Sequence, residues 1–139
     1  MRLLPASAAA GFAALALGGC TAQPPSSAGK FQGPERDVAK VVDDLQTAGR
    51  KSDADRICTR VLSARLAQQM AAGRASCTDE VKKAIGDAGD FDLQVRDVTV
   101  SGATATAQVR QKSDGRVVTL QLARERDGWR LTSLDSRGA

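Results

Sequence analysis

The chain has 139 residues, a formal net charge of +4 and no histidine or tyrosine. The lack of histidine excludes Ser-His-Asp and Cys-His catalysis, histidine-ligated zinc or haem, and a histidine general base. Its three phenylalanines and single tryptophan are too few for the stacked surfaces that bind single-stranded nucleic acid. We therefore expect no nucleic-acid partner, no metal site and no cofactor.

An apolar leader comes first in the chain. From Pro5 to Leu17 it consists almost entirely of Ala, Leu, Phe and Gly. This run is shorter than the roughly 20 residues of a permanent membrane span, but it suits a secretory signal peptide, which we place at residues 1–19. The segment closes with Leu17-Gly18-Gly19-Cys20.

These four residues resemble the lipobox of bacterial lipoproteins, in which an aliphatic residue and two small ones precede a cysteine. The resemblance implies that the signal is cut before Cys20 and that Cys20 carries diacylglycerol and palmitate chains. Each buried methylene contributes about 0.8 kcal/mol, so several chains hold a protein firmly at a membrane. The expected location is the extracytoplasmic face of the cell membrane. The alternative is an ordinary signal peptide with an incidental cysteine.

Residues 20–34 are predicted to be the lipidated cysteine followed by a tether. The stretch TAQPPSSAGKFQG has no hydrophobic periodicity and is rich in Pro, Ser, Gly and Ala, which is typical of a flexible linker. Such a coil spans about 20 Å on average. Residues 35–139 then form one domain, which is large enough for a hydrophobic core of its own.

Two further cysteines, Cys58 and Cys77, lie in this domain. An even pair in an exported domain indicates a disulfide, which for a loop of this length stabilises by about 3 kcal/mol in the chain-entropy model. Two free thiols are the alternative. A zinc site is not expected, because two cysteines without histidine cannot supply its usual four ligands.

Helical periodicity follows the tether. Val38, Val41, Val42 and Leu45 recur at the spacing of one buried helix face, and two more such segments follow. Capping and glycine signals predict three helices. Their predicted start and end residues are Gly33 and Gly49, Ser52 and Gly73, and Thr78 and Gly89.

After Gly89 the apolar period changes from 3.6 to 2, which predicts strands. The phase slips by one residue near Arg96-Asp97, which indicates a β-bulge that bends the first strand. Ser101-Gly102, Asp114-Gly115 and Asp127-Gly128 predict three turns between four antiparallel strands. Helices followed by an antiparallel sheet define an α+β domain.

This order resembles the nuclear transport factor 2-like (SnoaL-like, cystatin-like) fold, and in particular small actinobacterial lipoproteins of that type. The matching segments are ADRICTRVLSARLAQQMAAG, ATATAQV and ERDGWRLTSL. The resemblance implies N-terminal helices packed on a curved four-stranded sheet that forms a cone. Enzymes of that superfamily often place Asp, His or Tyr inside the cone, and this chain lacks the last two.

The predicted inner face of the second strand carries only small residues. Ala103, Ala105 and Ala107, together with Trp129, are candidate lining for a pocket between sheet and helices, where related cones often bind small apolar ligands. Close packing of a helix on the alanines is the alternative. An Ala105→Leu substitution separates the pocket from close packing. It should stabilise the protein if it fills a cavity, and it should cost about 1–3 kcal/mol if the core is already packed.

Basic residues lie near the predicted hairpin ends. They are candidates for contact with anionic lipid, wall polymer or an acidic partner, and a solvated rim is the alternative. These residues are Arg110, Lys112, Arg116, Arg124, Arg126 and Arg130.

The expected function is that of a non-enzymatic, membrane-anchored extracytoplasmic protein that binds a protein partner or a small ligand, with no catalytic residue. The first alternative is an enzyme of the same superfamily that uses carboxylates alone, which requires a buried acid with a raised pKa. The second is a structural accessory protein of a cell-envelope complex.

Overall fold

The computed structural model describes residues 25–135, which form an α+β domain with four helices and a four-stranded antiparallel sheet. The helices are α1 (Gly33–Arg50), α2 (Ala54–Arg56), α3 (Ala64–Met70) and α4 (Cys77–Ala88), with a 3₁₀ turn at Ala28–Lys30 and a π-helix at Ile57–Val61. The strands are β1 (Leu93–Ser101), β2 (Thr104–Gln111), β3 (Val117–Glu125) and β4 (Gly128–Asp135).

The predicted first helix is confirmed as α1, which ends at Arg50, one residue beyond the predicted end. Proline in its first turn suits helix initiation, since it has no N–H to leave unpaired. Val38 and Val42 are fully buried, as the periodicity predicts, while Val41 and Leu45 of the same predicted face are half-buried. The stripe lies on the sheet and forms the centre of the core with Val95, Val109 and Leu131.

The predicted second helix is interrupted in the structure. Asp53, rather than Ser52, caps α2, because its carboxylate accepts the Arg56 N–H at 3.0 Å. The π-helix follows, and the chain then extends at Leu62 and Ser63. The Ser63 N–H donates to the Leu131 carbonyl at 2.8 Å. This contact with β4 competes with a continuous helix, and helical periodicity alone does not reveal it.

The helix α4 begins at Cys77, one residue before the predicted start. Ser76 and Asp79 form a reciprocal capping box at its N-terminus. The predicted disulfide is confirmed, since Cys58 and Cys77 are bonded and their Cα atoms lie 6.2 Å apart. The bond ties the π-helix to the first turn of α4.

The four strands pair in sequence order as an antiparallel meander. The predicted bulge is confirmed, because Val95 pairs with Val109 and Asp97 with Gln108, which leaves Arg96 unpaired. A second irregularity, which the sequence analysis did not predict, lies in β4, where Thr132 is skipped in the pairing with β3. No helix within residues 25–135 is long and apolar enough to span a membrane.

Residues 26–31, which we assigned to the flexible tether, instead lie against the domain. The Asp43 carboxylate on α1 accepts hydrogen bonds from the Ser26 hydroxyl and from the N–H groups of Ser27 and Ala28, at 2.7–3.0 Å. The Ser27 hydroxyl accepts the Val95 N–H at 3.1 Å. Ser27 and Ala28 are buried. The segment thus satisfies an N–H on the outer edge of β1, so its packing has a structural reason that composition does not reveal.

Candidate functional site

An open groove of about 830 Å³ lies between the first half of α1, the segment from Asp53 to Arg60, and the hairpin that joins β3 to β4. Twelve of its lining residues are charged, six acidic and six basic. The acidic residues are Asp37, Asp44, Asp53, Asp55, Glu125 and Asp127, and the basic residues are Lys40, Arg56, Arg60, Arg124, Arg126 and Arg130. The groove is therefore a site for a charged rather than an apolar occupant.

On the helical side of the groove two pairs of opposite charges lie side by side. Arg56 donates to Asp44 at 3.0 Å, and Lys40 donates to Asp37 at 3.2 Å. Both pairs are about half exposed, and such pairs contribute little to stability because water screens them. A charged group of a ligand can therefore replace either member of a pair at a small cost in stability.

On the sheet side the arginines are less engaged. Among residues 25–133, whose side chains the structure describes, Arg124, Arg126 and Arg130 have no carboxylate within 4.0 Å, and neither has Arg60 on the opposite, helical side. Arg130 donates only to the Thr59 carbonyl of the π-helix, at 3.4 Å. Guanidinium groups bind carboxylates and phosphates through paired hydrogen bonds. This wall therefore offers donors to an anionic group.

Trp129 lies beside these arginines and is 6 % exposed. The Arg124 guanidinium lies over its ring, 5.2 Å from the ring centroid, in cation–π geometry. The indole Nε1 is buried and has no hydrogen-bond partner among the described residues. A buried donor without an acceptor costs about 1–3 kcal/mol.

The structure separates the residues that we predicted to line a pocket. Trp129 borders the groove, whereas the three alanines do not. Ala103 precedes β2 and is exposed, while Ala105 and Ala107 are buried at 5 % and 0 % exposure. The two buried alanines allow α1 to pack closely on the sheet, which is the alternative that we considered. Cys20 lies outside the described residues.

The basic hairpin residues do not form one patch. Arg124, Arg126 and Arg130 lie at the groove, and Arg110, Lys112 and Arg116 lie at the opposite end of the sheet, because successive hairpins of a meander alternate between its two ends. Within residues 25–135 no three His, Cys, Asp or Glu side chains are placed to hold a metal ion.

The sequence analysis missed the contribution of the helical segments to the groove. Asp37, Lys40 and Asp44 lie at spacings of three and four on the polar face of α1. That pattern is typical of any solvent-facing helix side, so it held no specific signal. The π-helix, a feature frequent at functional sites, adds Thr59 and Arg60 to the wall.

Comparison with known proteins gives no relative from which a function could be transferred. No protein-family model, no curated protein and no solved structure matches this chain.

Proposed function

We propose that the protein is a lipid-anchored extracytoplasmic binding protein without enzymatic activity, whose groove holds a charged protein partner or small ligand. The observation that carries the proposal is the bond between Cys58 and Cys77. Disulfides persist in oxidising compartments outside the cytoplasm. Because these two cysteines pair with each other, Cys20 is the one remaining thiol of the sequence, and it closes the lipobox-like motif.

The exposure of the groove acids supports binding over carboxylate catalysis. An acid catalyst needs a pKa raised by burial or by a like charge. All six acidic residues of the groove are exposed to solvent. Exposed charges of both signs favour recognition of a partner that carries complementary charges, since such contacts set specificity and association rate.

The nuclear transport factor 2-like cone belongs to the same proposal. Three features support it: a bulged first strand, helices that cover one face of the meander, and a groove that opens between them at one end. In such an architecture the open end of the sheet is the natural place for a ligand, which agrees with the location of the arginines.

The mass of the protein extracted from its own host's membranes tests the anchor. We expect a chain that begins at Cys20, carries acyl chains and is lighter by two hydrogens because of the disulfide. An unacylated chain, or one cut elsewhere, would overturn the lipoprotein assignment. An additional tightly held mass would identify a small ligand, and its absence would direct the search to protein partners through crosslinking.

A pair of charge reversals tests the groove in the same preparation. Arg124→Glu should abolish the bound mass or the crosslinked partner, because it removes a guanidinium donor at Trp129. Arg116→Glu makes the same change at the other end of the sheet and should leave binding intact. Equal effects of the two substitutions would show that the groove is not the binding site.

A further inference from the structure

The two ends of the sheet differ in their distance from the N-terminal segment that follows Cys20. We define the docked end as residues 25–30, the end of α1 at Gly49 and Arg50, residues 90–94 at the start of β1, and the hairpin that joins β2 to β3. We define the groove end as the hairpin that joins β3 to β4, the first half of α1 and the segment from Asp53 to Arg60. A small cleft brings Pro25, Ser26 and Lys30 against Leu93 and Lys112, so the N-terminal segment lies at the docked end.

Only four residues separate Cys20 from Pro25. At full extension the five peptide steps between them span about 17 Å. Ser26–Ala28 are bound to Asp43, so the rest of the predicted tether cannot act as a spacer between the membrane and the domain. An acylated Cys20 therefore keeps the docked end close to the lipid headgroups.

We propose that the docked end rests on an anionic membrane surface, so that the groove end faces away from the membrane. This inference rests on the lipid anchor of the proposed function. Along β3 the nine residues from Val117 to Glu125 place the two ends about 27 Å apart. The groove then opens toward the compartment in which its partner is found.

The charges of the docked end suit anionic headgroups. Five exposed basic residues lie there, against three acidic ones among residues 25–133, namely Asp90, Asp92 and Asp114. The basic residues are Lys30, Arg50, Arg110, Lys112 and Arg116. The groove end, with six charges of each sign, has no such excess. Basic residues near an anionic leaflet are attracted to it over about a Debye length, roughly 8–10 Å, which lies within the reach of the short tether.

Two of the three acidic residues of the docked end are already engaged. Asp92 lies 3.8 Å from Arg50 and 3.6 Å from Lys112, and Asp114 lies 3.6 Å from Arg116. Lys30 and Arg110 have no carboxylate within 4.0 Å among residues 25–133, whose side chains the structure describes. Val117, 42 % exposed, is the one large hydrophobic side chain exposed in the described part of the chain, and it follows Arg116 directly. Cations beside an exposed apolar side chain fit the headgroup region.

Tryptophan reporters at the two ends test the orientation. The chain is expressed in its own host, extracted with detergent and reconstituted into vesicles of brominated phosphatidylcholine and phosphatidylglycerol. Val117→Trp adds an exposed indole at the docked end, and Arg126→Trp adds one at the groove end. The buried Trp129 contributes the same background fluorescence in both variants. We expect bromine to quench most of the added emission at position 117 and little of that at position 126.

A second reporter and a charge reversal strengthen the test. The added tryptophan emission of Lys30→Trp should be quenched like that of Val117→Trp. If one of the two variants fails to fold, the other still tests the orientation. Adding Lys30→Glu to the Val117→Trp chain should reduce the quenching, whereas Lys40→Glu at the groove end should not change it.

The outcomes separate the two proposals. Quenching at position 126, or at neither end, in protein that stays on the vesicles at high salt would overturn the orientation and leave the anchor intact. Protein that does not associate with vesicles at all would overturn the anchor, and with it the orientation.

Discussion

The docked end and the groove end of the sheet handle their polar groups in different ways. At the docked end, backbone groups on the outer edge of β1 are capped: Gln46 accepts the Leu93 N–H at 2.6 Å, and Ser27 accepts the Val95 N–H. At the groove end, among residues 25–133, the buried indole N–H of Trp129 has no partner, and Arg124, Arg126 and Arg130 have no carboxylate within 4.0 Å. Satisfied polar groups stabilise a fold, whereas exposed arginines without a carboxylate are available to bind an anionic group.

The largest expected effect comes from the bond that holds the groove wall. Replacing both Cys58 and Cys77 with alanine should cost about 3 kcal/mol of the free energy of unfolding, because the denatured chain regains the freedom of the closed loop. Urea unfolding measures the loss, and hydrogen exchange should rise at Ile57–Val61. Cys20→Ser is the control and should leave the stability unchanged. A double variant as stable as the wild type would show that other contacts hold the π-helix.

At the docked end, Gly49→Ala should be the most damaging single substitution. A Cβ at Gly49 would come within 3.0 Å of the Phe91 ring, so the ring or α1 must move. We expect a loss of about 1–3 kcal/mol by thermal or urea unfolding. Gly86→Ala on α4 is the matched control, because its Cβ meets no atom within 4 Å. That change should stabilise by about 0.5–1 kcal/mol through helix propensity, and equal effects of the two would refute the tight packing.

Removing one cap tests whether the N-terminal segment belongs to the fold. Ser27→Ala leaves the Val95 N–H without its acceptor and should cost about 1 kcal/mol. Ser26→Ala removes an exposed hydroxyl that donates to Asp43 and should cost less. If the two substitutions cost the same small amount, residues 25–31 do not act as an edge cap.

Substitutions at the groove end should have the opposite pattern of effects from those at the docked end, with little change in stability and a large change in binding. Arg124→Gln removes the cation over the Trp129 ring, a contact worth about 0.5–1 kcal/mol at exposed sites. Unfolding curves should shift only slightly, while partner or ligand binding should fall. A large loss of stability would indicate that Arg124 is structural.

The smallest expected effect on stability concerns Asp79 on α4, the helix that the disulfide ties to the π-helix. Hydrogen bonds from the Ser76 hydroxyl and the Ser76 N–H lower the pKa of Asp79 below its ordinary value of 3.8. A lowered folded-state pKa stabilises the fold above the unfolded value, and this contribution is lost as the pH falls through the folded-state value. Asp79→Asn should therefore lower the melting temperature slightly at neutral pH and not at strongly acidic pH. A shift of equal size at both pH values would contradict this origin.

Local signals predicted much of the sheet and of the first and last helices. The phase slip at Arg96 marked the bulge, and two Asp-Gly pairs marked hairpins, because these features depend on neighbouring residues. The cysteine count and the expected compartment predicted the disulfide.

Features that depend on distant contacts were not predictable from local patterns. Ser27 bonds Val95, 68 residues away, so the docked segment has no local signal. The break after the π-helix depends on the bond from Ser63 to Leu131, although Ser63 also caps α3, a local signal that the sequence analysis did not use. The groove likewise combines α1, the π-helix and the last hairpin. Only Trp129 and the hairpin arginines could be identified as candidates before their neighbours were known.

Hydrogen exchange on the protein in its host's membrane vesicles, compared with detergent-extracted protein, tests the central claim most directly. The account predicts that the membrane protects residues 25–31 and 111–117 and leaves the groove segments 53–60 and 124–130 unchanged. Protection of the groove segments without protection of residues 25–31 would contradict it, because the membrane would then contact the end that we assign to partner binding.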